Sequence, residues 1–148
     1  MSETASIHAS AVLVGPKAIL IRGPSGSGKS RLAWELVTAP PKRLFARLVA
    51  DDRAYLGNHS GSLLVRPVSA LAGLIEIHGF GIRRIEFEPV AVVGLIVDLG
   101  AADGGRHPEE PAKTITIEGV TLPRLPVASA VAALPLVMAA WPVPLAEN

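Results

Sequence analysis

Hydrophobic and polar positions along the chain fall into a series of short blocks. The first two, AVLVG and KAILIRG, are apolar and β-favouring and flank Gly15-Pro16, which predicts a hairpin. After a glycine-rich interval, SRLAWELV spaces Leu32, Leu36 and either Ala33 or Trp34 at helical intervals. APPK then stops the helix, because proline cannot continue one. FARLVADD reads as a buried strand running into two acids, and GSLLVRPV and GLIEIHGFGI read as further strands, the latter ending in a glycine-rich turn. VAVVGLIVDL reads as one long central strand. GAADGGRHPEEPAK mixes Gly, Pro and charge and reads as a mobile surface loop, whereas TITIEGVTLPRLPV alternates like a strand pair. VASAVAALPLVMAAW, residues 127–141, is the most apolar stretch and reads as a buried helix or strand interrupted by Pro135. One early helix among many strands points to a β-rich α/β domain with a mixed sheet and few helices, rather than an evenly alternating βαβ pattern. No repeat or linker divides the pattern, so residues 1–148 are expected to form a single domain.

Composition narrows the function classes. A chain of 148 residues with 49% apolar residues is globular and long enough to bury a core. The net charge of +1 offers no basic face for nucleic acid. There is no cysteine, which excludes disulfides and thiolate zinc sites and is compatible with a reducing compartment. MSETASIHAS lacks the basic start and apolar core of a signal peptide. The 127–141 stretch is shorter than the ~20 residues that span a bilayer. The expectation is a cytoplasmic protein without membrane or nucleic-acid partners.

Candidate chemistry begins at residues 23–30. Gly23, Pro24, Ser25, Gly26, Ser27, Gly28, Lys29 and Ser30 complete the pattern G-x-x-x-x-G-K-[ST] between a predicted strand and a predicted helix. The glycines let the chain curl so that successive N–H groups face phosphate oxygens, and the helix start adds its positive end. Lys29 would neutralise β- and γ-phosphate charge, and the Ser30 hydroxyl would bind magnesium.

Phosphate transfer also needs a metal and a group to take the acceptor's proton. Asp51 and Asp52 stand at a strand end, where neighbours point to opposite sides, so the two acids are expected to have different jobs. One would sit against magnesium or its waters and the other would face the acceptor as general base; the alternative is a pair of solvated turn acids. Glu76 lies between apolar residues in a strand, where a buried acid needs a partner or a metal. It is either a magnesium ligand or an edge-strand residue facing water. Pattern alone leaves His8, just before the first hairpin strand, as an ordinary surface or core histidine.

IHAS, GPSGSGKS, RLVADDR and GLIEIHGFGI resemble, in order and approximate spacing, the catalytic domain of HPr kinase/phosphorylase. The resemblance runs from about residue 5 to residue 100 and continues more loosely to GVTLPRLPV. It implies a P-loop fold similar to the nucleotide-binding part of phosphoenolpyruvate carboxykinase, with ATP and Mg2+ as cofactors. It further implies phosphorylation of a seryl residue of HPr, a small phosphocarrier protein of a phosphotransferase system. Family members form homo-oligomers, commonly hexamers, and full-length members carry an N-terminal domain; this chain looks like the short form without it.

Carried over by position, the resemblance assigns His8 as the active-site histidine and Lys29 as the phosphate-binding lysine. It assigns Ser30 and Glu76 as magnesium ligands, with Asp51 supporting the metal or its hydrogen bonds. Asp52 becomes the residue that takes the serine's proton, and Arg106 falls where the family has a catalytic arginine on a mobile loop. Two departures stand out. The family's E-x-R-G turn reads Glu76-Ile77-His78-Gly79 here, with Arg83 and Arg84 close by. The late arginine-rich segment linked to the phosphorylase reaction reads LPVASAVAALP, without arginines, which puts the dephosphorylating direction in question. The rival readings are a P-loop kinase for another acceptor and a nucleotide-sensing module without transfer, the latter favoured by His78.

Overall fold

The computed structural model describes residues 5–38, 45–129 and 131–141. The predicted hairpin is present as β1 (Ala9–Val14) and β2 (Lys17–Arg22), with Gly15 in the left-handed conformation at its turn (φ 67°). Helix α1 (Lys29–Thr38) follows the glycine-rich interval. The APPK stop lies outside the described residues. The chain continues as β3 (Ala46–Ala50), β4 (Ala54–His59), β5 (Ser62–Pro67), β6 (Leu74–Ile77), β7 (Gly81–Arg84) and β8 (Ala91–Leu99). It ends with β9 (Thr114–Ile117), β10 (Val120–Val127) and α2 (Ala133–Ala140).

Six strands form the main path of a mixed sheet in the order β3-β1-β2-β8-β10-β9, with β5 also pairing β8 and β4 pairing β5. The pairs β2–β8 and β8–β10 are parallel and the others antiparallel. β6 and β7 make a separate two-stranded ribbon. The loop of residues 23–30 therefore leaves the carboxyl end of a strand in the parallel part of the sheet, where open α/β folds place their ligands. β4 was not anticipated, because AYLGNH lacks a clean alternation and carries Gly57 in its middle.

The period-2 pattern of the strands divides the core in two. Val12, Val14, Ile19 and Ile21 face α1 and α2, where Leu32, Ala33, Leu36, Val137 and Trp141 cover them. Ala9, Ala11, Ala18 and Leu20 face the other way, against Leu63 and Val65 of β5 and Leu122 of β10. Burying side chains such as Leu32 and Leu36 contributes ~1.5–3 kcal/mol each, which is what holds a ten-residue helix on the sheet.

β8 is less regular than its sequence suggests. Ala18 pairs with Val93 but Ile19 with Leu95, so Gly94 is an extra, bulged residue. Ala91 and Val93 pack on one face, and Leu95, Val97 and Leu99 pack on the other. A Cβ at position 94 would lie 3.0 Å from Lys17 and 3.2 Å from Trp141, which is why glycine occupies the bulge.

The apolar stretch 127–141 is also corrected. Val127 ends β10, and a helix starts at Ala133 with Pro135 in its first turn, where a missing N–H breaks no helical bond. Pro135 thus does not interrupt the helix, and Val137 is its one fully buried residue while Leu136 is 38% exposed. No helix among the described residues is long and apolar enough to cross a membrane.

Candidate active site

The loop is shaped by Gly23, Gly26 and Gly28, all at positive φ (156°, 82° and 102°). Around Gly26 and Gly28 a Cβ would meet nothing within 4 Å, so both main-chain segments border open space. Ser27 N–H donates to the Pro24 carbonyl at 3.0 Å and Leu32 N–H to the Gly28 carbonyl at 2.9 Å, closing the loop into α1. Pro24, Ser25 and Gly26 form its exposed crest.

Lys29 is buried, and its ammonium bonds the carbonyls of Gly23 (2.9 Å) and Pro24 (3.3 Å). Among the described residues it has no carboxylate partner. A buried cation without a counter-charge is costly, and the open space bordering the glycine main chain beside it leaves room for an anion. The buried hydroxyl of Ser27, which has no hydrogen-bond partner, is a second unfilled polar position in the same loop. These residues fit a nucleotide's phosphates.

Asp51 organises the neighbouring acids. Its buried carboxylate accepts from Ser30 Oγ at 2.7 Å and from Ser10 Oγ at 2.8 Å, both at Oδ1. It also accepts from the Glu76 N–H at 3.1 Å, at Oδ2. One side chain thus ties α1, β1 and β6 together at the edge of the loop. Ser10 was not singled out by sequence, although a lone hydroxyl inside the apolar run ASAVLV was its signal; its Oγ also accepts the Asp52 N–H at 3.1 Å.

Asp51 and Asp52 have separate surroundings, as expected, but for a different reason. β3 ends at Ala50, so strand pleating does not part them. Asp52 is in the left-handed conformation (φ 72°), which turns its side chain out to 65% exposure while Asp51 stays inside. His8 Nδ1 lies 3.9 Å from Asp52 Oδ1, and His8 Nε2 lies 3.1 Å from Arg53 Nη2.

The two other expected positions are less enclosed. Glu76 is exposed, so the argument from a costly buried acid does not hold, and its main chain rather than its carboxylate touches Asp51. Cross-strand register places Ile82 opposite Glu76 and Arg83 opposite Ile75. Arg84 therefore shares the face of Glu76, and Arg83 does not. Arg106 is exposed on the 101–113 segment, and no hydrogen bond or ion pair joins it to the loop of residues 23–30.

No group of three or more His, Asp or Glu side chains that could hold a metal occurs among the described residues. Magnesium at phosphates characteristically takes only one or two protein oxygens, and the hydroxyl of Ser30 against the carboxylate of Asp51 is such a hard-oxygen pair.

Charged residues also line the base of the site. Asp98 in β8 accepts two hydrogen bonds from Arg22 (2.7 and 2.8 Å), the residue just before Gly23, and one from Arg124 in β10 (2.5 Å). Arg124 continues to Asp103 (2.8 and 3.1 Å) and to the Ala112 carbonyl (2.9 Å), holding both ends of the 101–113 segment. Burial pushes the Asp98 carboxyl up, but the hydrogen bonds and charges of Arg22 and Arg124 outweigh it and hold it below the usual carboxylate range. Single charges inside the apolar runs AILIR, GLIVDL and TLPRLPV were the unread signal for this network.

Comparison with known proteins gives the family of the chain. The family model of the HPr Serine kinase C-terminal domain matches residues 1–88, a range that includes the loop, both acids and Glu76. HPr kinase/phosphorylase from Mycoplasma mycoides subsp. mycoides SC is 40% identical over 84 residues, which are 57% of this chain and 25% of that protein. The protein of the same description from Streptococcus thermophilus is 40% identical over 83 residues, 55% of this chain and 25% of its own length. The matched region thus spans about a quarter of these curated relatives. The structure of the Hpr(Ser) kinase/phosphatase from Coxiella burnetii superposes with a TM-score of 0.72 at 24% identity, covering 91% of each chain, and shows the same β-rich P-loop fold. The chain belongs to the HPr serine kinase C-terminal domain family.

Proposed function

We propose that this chain is an ATP-dependent protein serine kinase whose acceptor is a seryl residue of the phosphocarrier protein HPr, with residues 1–148 acting as one catalytic unit. One observation carries the reading: two adjacent acids are parted by a left-handed turn, so that one bonds the loop's serine and the other opens to solvent beside a histidine. The family's relatives named for HPr support the choice of acceptor.

In this reading residues 23–30 bind the phosphates of ATP, and Lys29 exchanges its carbonyl partners for phosphate oxygens. Magnesium, when bound, neutralises phosphate charge; Ser30 and Asp51 would hold it, with Glu76 nearby on β6. Asp52 takes the proton of the seryl hydroxyl while the seryl oxygen bonds the γ-phosphorus. The bond from that phosphorus to the bridging oxygen breaks, and ADP leaves. A carboxylate open to solvent, as Asp52 is, can be reached by a protein acceptor; a buried one cannot.

Purified HPr incubated with labelled ATP and magnesium tests the proposal. The expected product is phosphoserine on HPr, and Asp52→Asn is expected to keep nucleotide binding while lowering transfer by about two to four orders of magnitude. An intact nucleotide with unmodified HPr refutes the acceptor. Near-normal transfer by the variant refutes the base.

A further inference from the structure

We propose that Arg53 is a positioning residue that fixes His8 as the neutral tautomer carrying its proton on Nδ1, the nitrogen that faces Asp52. The inference rests on the reading of Asp52 as the proton acceptor. Its geometry is a chain of side chains: Arg53 Nη1 donates to Ser6 Oγ at 3.1 Å, and Arg53 Nη2 lies 3.1 Å from His8 Nε2. His8 Nδ1, on the opposite side of the ring, is the atom 3.9 Å from Asp52 Oδ1.

The chemistry of the partners decides the proton's place. A guanidinium only donates and does not lose its charge in a protein, so the ring nitrogen it bonds must accept. Nε2 therefore holds a lone pair, the imidazole is neutral, and its single proton sits on Nδ1. An imidazole in water prefers the other tautomer, which makes the assignment specific to this neighbour.

Main-chain bonds hold the two partners in place. Ile7 and Ala54 exchange a pair of backbone hydrogen bonds (2.9 and 3.0 Å), and the Ala9 N–H donates to the Asp52 carbonyl at 3.2 Å. The segment bearing His8 is thereby stitched to the segment bearing Asp52 and Arg53 on both sides of the cluster. The 3.9 Å gap exceeds a direct hydrogen bond, but such contacts commonly tighten only when substrate arrives.

Two consequences follow for the reaction. With Nε2 occupied, His8 does not compete for the seryl proton, which leaves that task to the carboxylate. With Nδ1–H turned to Oδ1 of Asp52, Oδ2 is the oxygen left for the incoming hydroxyl. Arg53, whose guanidinium bonds Ser6 and the imidazole, thus acts through His8.

Nitrogen-15 NMR of the full chain at pH 8.5, with the His8 signals identified by their loss in His8→Gln, reads the tautomer directly. The wild type is expected to show a protonated Nδ1 and a bare Nε2. Arg53→Met is expected to shift the population to the Nε2–H form, and Arg53→Lys, which keeps a charged donor, to restore Nδ1–H at least in part. In transfer assays Arg53→Met should lower kcat by up to about 100-fold, the cost of a misplaced catalytic group, with the KM for ATP unchanged.

A wild-type His8 protonated on Nε2, or a tautomer that Arg53→Met leaves unchanged, overturns the inference. Both NMR outcomes stand apart from the kinase reading. A wild type that leaves HPr unmodified refutes that reading, while the NMR signals still decide the role of Arg53.

Discussion

At Gly23 the chain turns out of β2 with φ 156°, and a Cβ there would lie 2.5 Å from Ser27 Oγ and 3.0 Å from the Leu99 carbonyl. At Gly26 the backbone is also left-handed, but nothing lies within 4 Å. The two glycines of one motif therefore serve different ends. Gly23 is needed for a close approach, Gly26 for backbone freedom alone. Gly26→Ala is expected to cost about 1 kcal/mol, the left-handed penalty of an L-residue, and Gly23→Ala at least 1–2 kcal/mol more because the clash adds to strain. Urea unfolding of both variants measures this, and equal losses would contradict the account. The same scale shows why Asp51 and Asp52 divide their work: a single φ angle, unreadable from residue types, turns one carboxylate in and the other out.

Among the elements, β2, β8 and β10 are joined across their ends by Arg22, Asp98 and Arg124, which also reach the 101–113 segment. Asp98 is held below the usual carboxylate range despite its burial, because two guanidinium groups favour its charged form. The sign of its linkage follows. A carboxylate with a depressed folded pKa contributes stability that is complete above its unfolded value of about 3.9 and is lost as pH falls through the lower folded value. Removing its charge at neutral pH leaves Arg22 partly buried without its carboxylate and Arg124 with Asp103 alone, so Asp98→Asn is expected to destabilise by roughly 3 kcal/mol. In urea titrations at successive pH values the gap between variant and wild type should narrow as pH falls from about 5 toward 2. A gap that does not change with pH would remove Asp98 from this role.

On the scale of the whole molecule, one sheet carries apolar side chains on both faces, with two helices over one face and the β4–β5 hairpin over the other. The loop of residues 23–30 rides on this twofold core, so phosphate binding and global stability are linked. A ligand that binds only the folded state at about 100 times its dissociation constant adds about 2.7 kcal/mol. In a chain of this size that raises Tm by roughly 5–10 °C. ATP with magnesium is expected to produce such a shift in the wild type and little or none in Lys29→Ala. An equal shift in both would show that the nucleotide binds elsewhere.

Much of this arrangement is written locally. The hairpin around Gly15-Pro16, the glycine loop between strand and helix and the mixed, β-rich class were legible in the sequence. Each depends on residue type and short-range periodicity: turn glycines, alternating apolar residues and one helical stripe. What the sequence left undecided depends on neighbours distant along the chain. Ser10 and Ser30 meet on Asp51, across 41 and 21 residues, only because β1 and β3 pair and α1 packs beside them. The face of Leu95 is set by a bulge at Gly94, and the exposure of Glu76 by its place in a ribbon outside the main sheet. Whether an acid is buried, bonded or open to water is a property of the packed environment, and that environment exists only after the strands have found their partners.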